Sequence, residues 1–258
     1  MIKLNTNLPM GPVILCVLLL CGSVIHSQKI LIHSHNDYEQ AEPLVNALQN
    51  KVYSLEADIY LVNDTLKVAH DKKDLTAAPS LLALYIQPIV HLFKDNHGQI
   101  SDDKTYSPVF MIDIKENGEA ALSALVKLLS AYPSVFNRKI NKKAVQIVIS
   151  GDRGDISKWT SWPTFILFDG RINEHYDKAQ LKRVAFISDS YFNYAKQKET
   201  TDSLIKQLAA KAHQIKTLLR LWAIPDHPSS WTHLRELGVD IINTDKVAEC
   251  RKYFSEKK

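Results

Sequence analysis

Short apolar runs recur along the chain from Lys29 onward, and most of them end in polar or charged residues. Each run has the length of a β-strand and is rich in Val, Ile, Leu and Phe, which is typical of strands buried on both faces. The runs are Ile30–His35, Val52–Ile59, Val109–Lys115, Val145–Ser150, Phe165–Asp169, Val184–Asp189, Leu218–Ile224 and Val239–Thr244. This pattern predicts eight strands of a parallel sheet.

The segments between these runs place apolar residues at three- and four-residue spacings, which predicts amphipathic helices. They are Pro43–Asn50, Leu81–Phe93, Glu119–Ala131, Asp202–His213 and Ser229–Leu237. Asn63 and Asp64 form a typical hairpin turn, so the second strand is expected to fold back through Leu66–His70.

Eight strands that alternate with helices over about 230 residues predict a (β/α)₈ TIM barrel. A doubly wound open sheet is the alternative, but its first strand usually leads into a glycine-rich phosphate-binding turn. Here the first strand runs instead into His33-Ser34-His35-Asn36-Asp37. We therefore expect residues 28–258 to form a single barrel domain, with the Leu81–Phe93 helix covering its mouth.

Residues 1–27 precede this pattern and are predicted to be a cleaved signal peptide. Lys3 supplies a positive charge, Val13–Cys21 is unbroken apolar sequence, and Ser23–Ser27 adds small and polar residues near a cleavage site. The apolar stretch is shorter than the ~20 residues that a membrane span needs, and an uncleaved membrane anchor is the alternative. The protein is therefore expected to be exported, either to the periplasm or out of the cell.

Composition and charge narrow the class of protein. The 258 residues are 45% hydrophobic and 23% charged, which suits a folded globular chain rather than a disordered one. Thirty-two basic residues against 28 acidic ones give a net charge of +4 without a long basic run, so a nucleic-acid partner is not expected. No GxGxxG or GxxxxGK[ST] motif occurs, which argues against the common nucleotide-binding loops.

Carboxylates follow one another at the ends of neighbouring predicted strands, where the chemistry of such barrels is located. Glu56 and Asp58 are two residues apart, so their side chains point the same way from an extended strand. Two carboxylates on one side repel each other unless a cation lies between them, and they are natural ligands for a hard divalent metal. Asp113 on the next main strand supplies a third oxygen ligand, and Lys115 directs an ammonium group into the same mouth.

Two histidines at the same end of the barrel are candidate proton-transfer groups. His35 follows the first strand and His70 follows the hairpin, and an imidazole titrates near neutral pH. His33 with His35 would also open a metal-dependent amidohydrolase site, for which Asp245 could supply the late acid. That alternative is weaker because such sites need histidines on the fifth and sixth strands, and Phe165–Arg171 and Val184–Asp189 contain none.

In combination, these motifs resemble the phosphodiesterase barrel superfamily of glycerophosphodiester phosphodiesterases, phosphatidylinositol-specific phospholipases C and spider-venom sphingomyelinases D. The matching motifs are His35, Glu56-Ala57-Asp58, His70-Asp71 and Asp113-Ile114-Lys115. The segments His33-Ser34-His35-Asn36-Asp37-Tyr38 and Glu56-Ala57-Asp58-Ile59-Tyr60-Leu61 are most similar to the branch named for altered inheritance of mitochondria protein 6. The likeness runs from Ile30 to Asp245.

The resemblance implies a phosphoric diester hydrolase that acts on a small-molecule or lipid phosphodiester, with peripheral membrane contact left open. It implies one Mg²⁺ or Ca²⁺ held by Glu56, Asp58 and Asp113. His35 would be the base and His70 the acid, although their roles can be exchanged. Further residues are expected to contact the substrate or to support the pocket: Lys115, Arg153, Arg171, Trp222 and His33.

The chain also departs from the glycerophosphodiesterase pattern. The His-Arg-Gly of those enzymes is replaced by His35-Asn36-Asp37, and Asp113 stands where they usually have Glu. These changes weaken the case for glycerophosphodiesters in particular and leave phosphodiester chemistry in place. A barrel that binds lipid or sugar without catalysis is the remaining alternative, because fold does not fix function.

Overall fold

The computed structural model of the protein describes residues 30–196 and 200–256. The predicted signal peptide, residues 1–27, lies outside the described residues. The described residues form nine strands: β1 Leu31–Ser34, β2 Ser54–Val62, β3 Thr65–Val68, β4 Val109–Ile114, β5 Gln146–Gly151, β6 Ile166–Gly170, β7 Val184–Ser190, β8 Leu219–Trp222 and β9 Ile241–Thr244.

Eight of these strands are parallel and close into a barrel, as the sequence predicts. The sheet order is β1-β9-β8-β7-β6-β5-β4-β2-β3, and pairing of β1 with β2 completes the ring. The remaining strand, β3, pairs antiparallel with the end of β2. Asn63 and Asp64 form the turn between them with φ of 45° and 60°, a left-handed conformation that Asn and Asp tolerate. The predicted hairpin is confirmed, with β3 shorter than expected.

Helices occupy all five predicted segments and several others. They are α1 Val45–Gln49, α2 Gln87–Asp95, α3 Gly118–Ser130, α4 Pro133–Phe136, α5 Lys178–Leu181, α6 Phe192–Ala195, α7 Thr201–Gln214, α8 Pro228–Glu236 and α9 Val247–Glu256. Four of them (α4, α5, α6 and α9) were not predicted. The first three are single turns, and α9 buries only Val247, Cys250 and Phe254, too few residues for a clear apolar period.

The apolar core has two layers because successive strand residues point to opposite faces. The barrel interior is filled by a small cluster drawn from the strands, which includes Met111, Val148 and Phe186. Outward residues such as Phe110 pack against the surrounding helices. No helix within residues 30–196 and 200–256 is long and apolar enough to cross a membrane.

The segment predicted to cover the mouth lies elsewhere. Residues Leu82–Ile86 form a π-helical turn that continues into α2. Within it, the fully buried Tyr85 packs on the outward-facing Phe110, with ring centroids 4.9 Å apart. This segment therefore belongs to the outer helical layer, because its apolar stripe covers the outer wall of the barrel.

Candidate active site

A pocket of about 310 Å³ opens at the carboxyl ends of the parallel strands, where the loops that follow them converge. Its lining is almost entirely polar or charged. The lining residues are His35, Asn36, Glu56, His70, Asp113, Lys115, Ser150, Gly151, Arg171, Arg220 and Trp222. Seven of the ten residues proposed from the sequence therefore face one cavity.

Three carboxylates meet at the floor of this pocket. The register of β2 and β4 pairs Asp58 with Asp113, and Glu56 lies one inward position below Asp58 on the same strand. Each of the three offers an oxygen within 4.8 Å of the others. Glu56 and Asp58 are buried, and Asp113 is partly buried, so the strand pattern brings together the acids that the sequence predicted.

The chemistry of this cluster fits a divalent cation. Oδ1 of Asp58 is buried and has no hydrogen-bond partner in the described part of the chain, although buried carboxylate oxygens normally have one. Burial and the negative charge of Glu56 raise the pKa of Asp113 from 3.8 to about 6. Oxygen ligands that converge without a neutralising charge repel one another. Both the unpartnered Oδ1 of Asp58 and the raised pKa of Asp113 are expected at such a site.

Asp113→Asn is expected to stabilise the cation-free protein near pH 7.5 by up to about 3 kcal/mol. Asp113 binds its proton more tightly in the folded chain than in the unfolded one, so ionisation above its folded pKa of about 6 lowers the wild-type stability. The advantage of the variant should fall to about 1 kcal/mol at pH 4.5 and vanish below the unfolded-state pKa of 3.8. Urea unfolding in EDTA at both pH values measures this difference; equal stability at pH 7.5 would contradict it.

Lys115 lies over the same acids from the end of β4. Its Nζ is 2.6 Å from Asp58 Oδ2 and 3.1 Å from Asp113 Oδ1. Burial opposes its charge, but Asp113 and Asp58 together outweigh burial and raise the pKa of Lys115. The ammonium group is therefore held in its charged form at the pocket wall, where it can face an anion.

His70 and Tyr38 complete the contacts of Asp58. Asp58 Oδ2 accepts a hydrogen bond of 2.8 Å from the Tyr38 hydroxyl and lies 3.0 Å from His70 Nδ1. Contact through Nδ1 leaves Nε2 as the ring nitrogen that can reach a substrate. The His70 side chain is 54% exposed, so it stands at the mouth of the pocket.

His35 also lines the pocket and contacts a different acid. Its Nδ1 lies 2.8 Å from Asp245 Oδ1, again leaving Nε2 for the pocket. Burial lowers the pKa of His35, but the hydrogen bond to Asp245 and the charges of Glu56 and Asp245 outweigh burial and raise it from its usual value. The imidazolium form of His35 is thereby favoured relative to a free imidazole. Sequence reasoning assigned Asp245 only to the amidohydrolase alternative.

His33 lies beneath the pocket and cannot contact a substrate, because its side chain is fully buried. Its Nδ1 is 2.7 Å from Ser54 Oγ, and its Nε2 is 2.6 Å from Glu56 Oε2. Burial and the nearby Arg220 lower the pKa of His33 to about 4, which keeps the ring neutral. The structure therefore assigns His33 to the support of Glu56 rather than to the pocket surface.

Arg220 on β8 is the buried cation of the barrel interior, a role that the sequence did not reveal. Its NH1 lies 3.5 Å from Glu56 Oε2, and its NH2 lies 3.3 Å from Asp169 Oδ2. Burial opposes the Glu56 charge, but contacts with His33 and Arg220 outweigh burial and lower the pKa of Glu56. Glu56 is consequently ionised, as a metal ligand must be.

The two predicted phosphate-binding arginines occupy different places. Arg171 lines the pocket, with its guanidinium 4.9 Å from the ring centroid of Trp222. Its NH1 is fixed by Asp169 Oδ2 at 2.8 Å. Arg153 turns away from the pocket and pairs with Glu174, with NH2 2.6 Å from Oε1. This ion pair explains why Arg153, although it follows a strand, does not reach the pocket.

Comparison with known proteins identifies the barrel. Residues 24–155, slightly more than half of the 258, match the family described as the AIM6-like phosphodiesterase domain. The altered inheritance of mitochondria protein 6 homolog of Arthroderma benhamiae is 28% identical over 272 residues, which cover 87% of this chain and 84% of that protein. The protein of the same name from Eremothecium gossypii is 26% identical, covering 86% of this chain and 69% of its own length.

Solved structures show the same fold. A glycerophosphodiester phosphodiesterase from Parabacteroides distasonis is similar with a TM-score of 0.58 and 16% identity, covering 89% of this chain and 98% of the other. A phosphodiesterase from Oleispira antarctica, in complex with the product sn-glycerol-3-phosphate, has a TM-score of 0.56 and 11% identity, covering 87% and 96%. At these identities the likeness shows the barrel fold alone. The family that matches is a phosphodiesterase domain, not the amidohydrolase alternative.

Proposed function

The chain belongs to the AIM6-like phosphodiesterase domain family, and from that premise we propose that it is a divalent-cation-dependent phosphoric diester hydrolase. The observation that carries the proposal is a three-carboxylate cluster in one pocket with two histidines, where His70 contacts Asp58 of the cluster and His35 contacts Asp245. A cation site flanked by two proton-transfer groups is what the cleavage of a phosphodiester requires.

Glu56, Asp58 and Asp113 would hold one Mg²⁺ or Ca²⁺, since both ions prefer carboxylate oxygens. Such an ion, when bound, supplies Lewis-acid polarisation of a phosphate oxygen. Lys115, anchored on Asp58 and Asp113, would place a fixed positive charge beside the phosphoryl group. A fixed charge of this kind stabilises the negative charge that develops in the transition state.

The two histidines would divide the proton transfers. The raised pKa of His35 favours its protonated form, so we assign it the role of the acid that protonates the leaving alcohol. His70, with Nδ1 on Asp58, would accept a proton through Nε2 from the water molecule that attacks the phosphorus. This assignment reverses the order expected from the sequence, which left the two roles exchangeable.

Arg171 and Trp222 line the same pocket as Lys115 and would bind the substrate there. Arg171→Lys is expected to raise KM about tenfold with kcat changed less than threefold, because a charge-assisted hydrogen bond of the planar guanidinium is lost. Arg153→Lys is the matched control, since Arg153 is held by Glu174 outside the pocket. Steady-state kinetics of both variants measure the effect. An equal increase of KM in Arg153→Lys would contradict a specific role of Arg171 in substrate binding and indicate that both substitutions disturb the loops.

The substrate class that fits this pocket is a small phosphodiester head group. A volume of about 310 Å³ lined by charged side chains suits a compact polar group more than an acyl chain. The structure of the Oleispira antarctica phosphodiesterase is a complex with the product sn-glycerol-3-phosphate, which is a compact and charged group of this kind. We also propose that the protein acts after export, on the basis of the signal-like residues 1–27.

Hydrolysis assays test the proposal directly. All strands and helices of the barrel lie between Leu31 and Glu256, so residues 28–258 retain every element of the described fold. This chain would be assayed on bis(p-nitrophenyl) phosphate, glycerophosphodiesters and lipid phosphodiesters with Mg²⁺, Ca²⁺ or EDTA. Cation-dependent hydrolysis of any of these substrates is expected. A folded protein that binds neither cation in calorimetry would contradict the mechanism and favour a non-catalytic binding barrel.

A further inference from the structure

A basic loop lies at the end of the barrel opposite the pocket. Residues 137–143 read Asn-Arg-Lys-Ile-Asn-Lys-Lys, with four basic residues and no acidic one. They join α4 to β5, and therefore lie at the amino-terminal ends of the parallel strands. Ile140, in the middle of the loop, is 62% exposed, and the flanking Lys139 and Lys142 are exposed as well.

Hydrogen bonds hold this basic loop in place. Asn137 Oδ1 accepts from the backbone N–H of Lys139 at 3.0 Å, and Asn141 Oδ1 accepts from that of Lys143 at 2.9 Å. The Asn141 amide also donates to the carbonyl of Gly98 at 2.8 Å. These hydrogen bonds hold the loop in a conformation that exposes Ile140. Exposure of an aliphatic side chain to water is unfavourable.

The chain enters the barrel on this same face. Ile30, which precedes β1, lines a small cavity together with Lys51 and Ser107. Ser107 Oγ accepts a hydrogen bond of 3.2 Å from Arg138, so the entry point and the basic loop are parts of one continuous surface.

The sequence ahead of that entry point is apolar. Val13–Cys21 contains no charged or polar side chain other than its two cysteines. Only residues 22–29 separate it from Ile30, and such a stretch spans at most roughly 30 Å when extended. Whenever Val13–Cys21 is inserted in a bilayer, the face that carries the basic loop is therefore held close to the lipid surface.

We propose that the basic loop, residues 137–143, docks on an anionic membrane surface, with Ile140 entering the head-group region and the lysines facing lipid phosphates. Basic residues near an anionic bilayer are attracted to it, and an exposed aliphatic side chain adds apolar contact. A nucleic acid would use the lysines but would give Ile140 no apolar environment. Docked in this way, the protein turns its pocket away from the bilayer.

Vesicle co-sedimentation tests the proposal with residues 28–258, which lack the apolar segment. The probes are phosphatidylcholine vesicles with or without 30% phosphatidylglycerol, a composition we choose for its strong negative surface. The variants are Lys139→Glu/Lys142→Glu and Ile140→Ser. The matched control, Lys127→Glu/Lys206→Glu, changes the net charge equally on the exposed flanks of α3 and α7.

We expect binding to the anionic vesicles only, weakened at least about tenfold by Lys139→Glu/Lys142→Glu. Ile140→Ser should weaken binding to these vesicles by about threefold or more. The control Lys127→Glu/Lys206→Glu should lower the logarithm of the affinity by less than half of the decrease caused by Lys139→Glu/Lys142→Glu. Equal losses in the two double variants would overturn the proposal, because net charge alone would then explain binding. An unchanged affinity of Ile140→Ser, together with equally tight binding to duplex DNA, would also overturn it.

Discussion

Asp58→Asn is expected to lower phosphodiester hydrolysis by at least about 10³-fold, the loss that corresponds to several kcal/mol of transition-state stabilisation. Asp58 contacts Lys115, His70 and Tyr38 through Oδ2, while its Oδ1 is the unpartnered buried oxygen of the cluster. The substitution keeps the shape of the side chain but removes the charge on which the cation site and Lys115 both depend.

Hydrolysis of bis(p-nitrophenyl) phosphate and calorimetric titration with Mg²⁺ and Ca²⁺ measure the two consequences separately. Asp152→Asn is the matched control: Asp152 follows β5, and its Oδ2 accepts a hydrogen bond of 2.8 Å from the backbone N–H of Gly118, outside the pocket. The control should retain nearly full activity. Wild-type cation affinity in a folded Asp58→Asn protein would show that the carboxylate cluster is not the metal site.

The barrel could be predicted from the sequence because its strands are buried on both faces and its helices are amphipathic. Both produce strong periodic patterns. The position of the segment around Tyr85 could not, since a long loop after a hairpin can lie over the mouth or along the wall. The position of this segment is determined by the contact of Tyr85 with the outward-facing Phe110. These residues are 25 positions apart, so a local sequence pattern does not reveal the contact.

The acids and histidines of the site could be predicted for a similar reason. Strand periodicity alone places Glu56 and Asp58 on one side, and the barrel topology brings Asp113 beside them. Periodicity says nothing about which partner a long side chain selects. Arg153 was expected in the pocket, but Glu174, 21 residues later, draws it away, and Asp245 reaches His35 across 210 residues. Such pairings appear only when the loops are folded.

His35→Ala and His70→Ala are expected to respond differently to the leaving group. With a glycerophosphodiester, whose alcohol must be protonated as it leaves, each variant should lose about 10³-fold in kcat. With bis(p-nitrophenyl) phosphate the leaving phenolate needs no proton. His35→Ala should then recover to within about tenfold of wild type, whereas His70→Ala should remain about 10³-fold slower, because the nucleophile still needs its base.

Asp245→Asn provides the control for the acid assignment. It leaves the imidazole of His35 in place and removes the carboxylate that lies 2.8 Å from its Nδ1, so it should show the same leaving-group dependence as His35→Ala with a smaller loss. Recovery of His70→Ala in place of His35→Ala would exchange the two roles. Equal losses of both variants on both substrates would mean that neither histidine protonates the leaving group. The raised pKa of His35 would then serve to hold a positive charge beside the phosphate, a role that a lysine at this position could also fill.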